Sequence, residues 1–113
     1  MQDLAVAVSY EAMDDIVDIA DNIEQNFDKR RADQFQDEIW DVMGKLSYTS
    51  MIYGETGIAY RGKMIFKKHF LPSLIFYYVE KGVSYVIRVL RQERAWDRII
   101  SRQDVDYHFP END

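Results

Sequence analysis

Six side chains in the second half of this 113-residue chain are suited to chemistry on an anion. Lys67, Lys68 and His69 are consecutive, while Arg88, Arg91 and Arg94 recur every third residue. A guanidinium makes paired hydrogen bonds to a carboxylate or a phosphate. Imidazole titrates near neutral pH, so His69 could serve as a general acid or base. If the three arginines converge, they form an anion site. Plainer accounts stand beside these. His69 could be a half-exposed strand residue. Lys67-Lys68-His69 could be a charged strand edge that discourages aggregation. Arg94 could pair with Glu93, Asp97 or a helix carboxylate and merely brace the fold. No metal or other cofactor is expected. The chain has no cysteine, and His69 and His108 lie far apart and outside any HExxH pattern.

These residues need a scaffold, and the length allows one domain. Apolar residues make up 47% of the chain and aromatics 14%, which supplies a core and argues against disorder. No apolar run approaches the ~18 residues of a membrane span. The first ten residues lack a basic region and a cleavage pattern. A soluble, cytoplasmic protein with no membrane partner is expected.

Leu4 to Val8 reads as a strand. Ser9 can cap a helix from about Glu11 to Asn26, whose apolar face holds Met13, Ile16, Val17, Ala20, Ile23 and Phe27. Asp28 can cap a second helix from about Lys29 to Ser47, with Ala32, Phe35, Ile39, Val42, Met43 and Leu46 inward. Trp40, beside that stripe, should be partly core. The short link between the helices favours an antiparallel hairpin. Residues 48–63 form the loosest stretch, and Gly54-Glu55-Thr56-Gly57 reads as a turn.

Three strands follow. They are Lys63–Leu71, Leu74–Val79 and Val83–Arg91, broken at Pro72 and joined by the Glu80-Lys81-Gly82 hairpin. In the last strand Val83, Tyr85, Ile87 and Val89 should share one face, with Ser84, Val86, Arg88 and Leu90 on the other. Tyr77 and Tyr78 should point to opposite faces. A short helix from Arg94 to Ile100 should pack through Trp96. Residues 1–103 form the domain, and 104–113 an acidic tail that frays from Gln103 on. The expected class is α+β: an N-terminal strand, an antiparallel helical hairpin on one face of a small, mainly antiparallel sheet, and a short C-terminal helix. The other sheet face is left partly open to a partner or substrate.

The net charge of -6 hides a division. Residues 1–53 carry 12 acidic and 4 basic side chains, residues 54–103 carry 4 and 10, and residues 104–113 carry 4 and none. Such segregation can steer an anionic partner to one face, although acidic helix surfaces are also ordinary. The acidic tail could lie over the cationic face and imitate its ligand.

The order of elements, with certain residues, resembles the RelE/ParE toxin superfamily, the plasmid-stabilisation proteins. Ser9-Tyr10-Glu11-Ala12 is similar to the family's opening. Leu74-Ile75-Phe76-Tyr77-Tyr78-Val79, with Glu80-Lys81-Gly82-Val83, is similar to its central hairpin. Ile87-Arg88-Val89-Leu90, then Arg91, Arg94 and Trp96, is similar to its closing strand. The resemblance spans residues 4–100 and leans to the ParE-like branch. It implies the toxin of a bacterial type II toxin–antitoxin pair and a cognate antitoxin that wraps it as a helix or added strand. A homodimer or a heterotetramer with the antitoxin fits the same pattern.

Departures from the family bear on activity. Arg91 stands where ParE-like members have histidine, and Ala95 where they have aspartate. The ribosome-dependent RNases of the superfamily use two arginines and a tyrosine where this chain has Ser73, Gln92 and Arg98. Cutting RNA needs a base for the 2′-hydroxyl, an acid for the leaving oxygen and cations for the phosphorane. The resemblance therefore implies a binder of DNA gyrase ahead of an mRNA endonuclease acting at the ribosome. A degenerate member kept as a binding module is the third reading.

Overall fold

The computed structural model of the protein describes residues 5–49 and 53–110, without the side chains of residues 47 and 48. Leu4, expected in the first strand, lies outside the described residues. Strand β1 (Ala5–Val8) leads through Ser9 into helix α1 (Tyr10–Asn26). Ser9 keeps an extended backbone, and its Oγ accepts from the Ala12 amide at 2.9 Å. The same hydroxyl donates to the Ile87 carbonyl at 2.8 Å. Asp28 caps α2 (Lys29–Gly44) by accepting from the Arg31 amide at 2.7 Å. Both expected caps are present.

After a single turn, α3 (Leu46–Thr49), come β2 (Gly54–Tyr60), β3 (Lys63–Phe70), β4 (Ser73–Glu80), β5 (Val83–Arg91) and α4 (Trp96–Ile100). The five strands lie in the order β1-β5-β4-β3-β2. β1 runs parallel to β5, and the other neighbours are antiparallel. Helix α1 lies against α2 and β5. The α+β architecture expected from the sequence is the one observed.

Two apolar clusters sit on opposite faces of the sheet. Ile16, Ile39 and Met43 of the helices meet Ile75, Tyr77 and Val86 in the first. The second gathers Tyr60, Ile65, Phe76, Ile87 and Ile100, with Trp96, Tyr107 and Phe109 against it. Tyr77 and Tyr78 do part to opposite faces, and Trp96 packs its ring 5.3 Å from that of Phe76. Burying both sheet faces lets so short a chain hide two rows of every central strand.

Several expectations need correction. Gly54 to Gly57 is the start of β2, a fourth meander strand, and not a turn. Its two glycines and scant β-branching conceal a strand that depends on pairing with β3. Gly57 adopts φ +80 where the register shifts, and Thr56 Oγ1 bonds to the Ile65 carbonyl at 2.8 Å across the strands. The second helix stops at Gly44, three residues early, and resumes as α3. On α1, Ala12 and Ile19 are buried while Val17 and Phe27 are exposed, because the contact stripe is rotated toward β5. Trp40 is exposed as well.

β5 contains a bulge. Phe76 faces Arg88 whereas Tyr77 faces Val86, so Ile87 is an extra residue. The simple alternation fails there: Val86 and Val89 join the first cluster, Ile87 and Leu90 the second. Finally, the second face is not open. α4 and the tail cover it, and the tail is packed as far as Phe109 where fraying was expected.

Ser9→Ala removes the α1 cap and a partner of the Ile87 carbonyl together. Loss of about 2 kcal/mol of stability is expected, read as a lower urea midpoint with an unchanged m-value.

Candidate functional site

The β5 bulge sets Arg88 beside α1. Its Nε and Nη2 donate to the two carboxylate oxygens of Asp15 at 2.7 and 2.8 Å. The Val89 amide donates to the same carboxylate at 3.0 Å. Asp15 sits in the second turn of α1 and is buried. Hydrogen bonding to the Asp15 carboxylate raises the Arg88 pKa further against the opposing effect of burial. Arg88 is therefore a brace between helix and sheet, with its fork already filled.

Arg91 Nε donates to Glu93 at 2.6 Å, and its Nη1 donates to Asn22 Oδ1 of α1. The Arg94 guanidinium is exposed, and no ion pair or hydrogen bond holds it among the described residues. Arg91 and Arg94 share a hollow of about 190 Å³ with Asp15, Asp18, Ile19 and Asn22. Two of the three arginines thus meet at one place, and the third supports its floor.

The three β3 residues lie elsewhere. The Lys67 Nζ is 4.7 Å from the Trp96 ring centroid, and the Lys68 Nζ is 4.3 Å from that of Tyr53. His69 is exposed, with no side-chain partner among the described residues. β2 pairs with β3 only as far as Gly54 opposite Lys67, so Lys68 and His69 extend past its first residue. Register runs from Lys67 through Phe76 to Arg88, and from Phe70 through Ser73 to Arg91. β3 and β5 are thus two strand spacings apart, about 10 Å. The six candidates do not converge into one site.

Sequence reasoning missed a different set. In the tail Val105, Tyr107 and Phe109 are half-buried while Asp106, His108 and Pro110 are exposed. That two-residue alternation was the available sign of an extended, packed segment. The Tyr60 hydroxyl donates to the Val105 carbonyl at 2.6 Å, and Arg61 pairs with Asp106 at 2.6 Å. Tyr107 packs edge-on to Tyr60, and Phe109 to Tyr85. His108 Nδ1 lies 2.7 Å from Glu11, whose carboxylate also accepts from the His108 amide at 2.8 Å. Among the described residues the tail carboxylates Asp104 and Asp106 thus pair with Arg102 and Arg61, and not with Arg88, Arg91 or Arg94.

Hydrogen bonding to Glu11, then its charge, raises the His108 pKa above the usual 6.5, and Asp106 adds to this. Burial pushes Glu11 up, but the hydrogen bonds from His108 outweigh it and bring the carboxyl below its usual 4.5.

A family model described as ParE toxin of type II toxin-antitoxin system, parDE, matches residues 6–96. The chain belongs to the ParE toxin family. No curated protein matches it in a sequence search. Membership makes the chain the toxin of a type II toxin–antitoxin pair and implies a cognate antitoxin as partner. No helix among the described residues is long and apolar enough to cross a membrane.

For this ParE-family toxin the Arg88–Asp15 pair gives two expected outcomes. Asp15→Ala leaves the half-buried Arg88 without its counter-charge and the Val89 amide without an acceptor, and should cost about 3 kcal/mol, read by chemical denaturation. Arg88→Glu should unfold the chain, since it sets two carboxylates face to face. For the tail, His108 stabilises in full below 6.5 and loses its effect as pH rises through its raised value. Glu11 stabilises above 4.5 and loses its effect as pH falls through its lowered value. The contact should thus be strongest between these limits. An NMR titration should place His108 above 6.5, and Glu11→Gln should return it toward 6.5.

Proposed function

We propose that this toxin arrests growth by binding DNA gyrase in the cytoplasm and that it does not cut mRNA. The closed state of the arginine set carries this reading. Arg88 is spent on Asp15 and Arg91 is shared between Glu93 and Asn22. Arg94 remains as a free cation at the rim of a mixed-charge hollow. Such a surface suits recognition of a protein carboxylate. Catalysis of phosphodiester cleavage needs an acid, a base and cations around one phosphate. His69 lies on β3 with no titratable side chain hydrogen-bonded to it among the described residues.

The positions matching the RNase side chains of the superfamily support the same reading. Ser73 is buried and donates to the Phe70 carbonyl at 2.7 Å. Gln92 is exposed beside the β3–β4 turn, where its amide donates to the Pro72 carbonyl. Arg98 is exposed on α4. None supplies a proton-transfer group at the end of β5.

The antitoxin would then cover the Arg91–Arg94 hollow with an acidic segment and neighbouring apolar surface. Lys67, Lys68 and His69 would contribute a second, separate patch.

The deciding experiment is induced expression of the chain alone, with plasmid supercoiling and mRNA integrity read in the same cells. Growth arrest with relaxed DNA and intact mRNA supports gyrase binding. Translation-dependent mRNA cuts with normal supercoiling overturn it, and absence of arrest from a folded product identifies a non-toxic binding module. Arg91→Glu/Arg94→Glu should weaken antitoxin or target binding by roughly 10- to 100-fold while leaving the melting temperature near that of the native chain. A folded double variant with full toxicity and full affinity removes the hollow from consideration.

A further inference from the structure

The second sheet face is an aromatic surface that the chain covers with its own extended peptide. Tyr60, Tyr78 and Tyr85 line it, with ring centroids 6.1 Å apart for Tyr60–Tyr78 and 5.0 Å for Tyr78–Tyr85. Residues 103–110 cross it, held by both backbone and side chains. Arg61 Nε donates to the Gln103 carbonyl, and its Nη2 donates to the Val105 carbonyl, each at 3.2 Å. The Tyr10 amide donates to the His108 carbonyl at 2.8 Å, and the His108 amide donates to Glu11 at 2.8 Å. Side chains are then read in turn: Asp106 by Arg61, Tyr107 by Tyr60, His108 by Glu11 and Phe109 by Tyr85.

Two features distinguish this cover from a core element. Its charged fixings are exposed: Arg61 and Asp106 show 45% and 71% of their side chains to solvent, and His108 shows 67%. Exposed pairs are individually weak. The fit is also imperfect. The Tyr107 hydroxyl is buried and is without a hydrogen-bond partner among the described residues. A segment bound by weak, exposed contacts and carrying an unpaired polar atom is easily exchanged for a better one.

We infer that the Tyr60–Arg61–Tyr85 surface is a docking cleft for an acidic, aromatic-bearing extended segment of a partner protein, and that residues 103–110 occupy it in cis as a competing strap. The charge pattern names the occupant's chemistry. Arg61 takes a carboxylate, Glu11 takes a cation or an amide, and the tyrosines between take rings. An acidic peptide with aromatic residues two apart meets all three. The inference goes beyond gyrase binding and does not depend on it, because the cleft is separate from the Arg91–Arg94 hollow.

A strap in cis acts at an effective concentration of roughly millimolar. A peptide in trans must overcome it. The probe is a fluorescent octapeptide with the sequence of residues 103–110, followed by anisotropy with full-length protein. The strap is weakened by D106R/H108A, whose side chains are both exposed. This variant should bind the peptide roughly tenfold more tightly than the native chain. Adding Arg61→Glu to it should abolish binding. A peptide carrying Phe at the Tyr107 position should bind more tightly than the parent peptide, because it buries no unpaired hydroxyl. In a further arm Tyr107→Phe in the native chain, which keeps every packing ring, should strengthen the strap and weaken peptide binding. Equal affinity for the native and D106R/H108A chains overturns the inference, as does binding that survives Arg61→Glu.

Discussion

The outer edge of β5 constrains the rest of this structure. Among the described residues β1 pairs with β5 from Val83 to Val86. Beyond that point the outer edge of β5 offers the Ile87 carbonyl and the Val89 amide to α1 and its cap and not to a strand. A buried carbonyl or amide left unpaired there would cost as much as a lost hydrogen bond or more. Ser9 and Asp15 complete the ladder with side chains, one donating its hydroxyl to the Ile87 carbonyl, the other accepting from the Val89 amide. A buried carboxylate in turn requires a cation, and the bulge at Ile87 delivers Arg88 to it. Cap, helix placement, bulge and arginine are thus one coupled device. An arginine used this way is not available to a phosphate.

The same economy runs through the basic half of the chain. Lys63 pairs with Glu80, Arg61 with Asp106 and Arg102 with Asp104. Counting cations along residues 54–103 therefore overstates the field that a partner meets. Docking on RNA depends on free cations that displace counterions. A surface with a few available arginines beside carboxylates suits a protein partner better. This is the electrostatic link between the fold of this ParE-family toxin and the binding mode of action proposed for it.

The two faces of the sheet differ in how they are closed. Helices α1 and α2 bury long aliphatic side chains against the first, with Ile16, Ile39 and Ile75 fully enclosed. The second is closed by one short helix and an extended segment with exposed polar fixings. Local opening is easiest where buried apolar contacts are few. The second face is the one whose cover can be exchanged without disturbing the helical layer.

The sequence alone determined what depends on local chemistry. Apolar spacing located both helices, Ser9 and Asp28 announced their caps, and the run from Leu74 to Val79 marked a central strand. The family resemblance followed from the order of these elements and was matched over residues 6–96. What only the tertiary structure decided involves partners distant in the chain. β2 has weak strand character of its own and exists because β3 supplies its hydrogen bonds. The β5 bulge leaves no trace in composition, yet it turned Arg88 from a candidate ligand-binding group into the counter-charge of Asp15, 73 positions away. The polar tail packs because Tyr60, Tyr85 and Glu11 are brought beneath it by three separate elements. Side-chain type and spacing specify what a residue can do, but its partners are set by the fold, and the partners decide whether it is free to act.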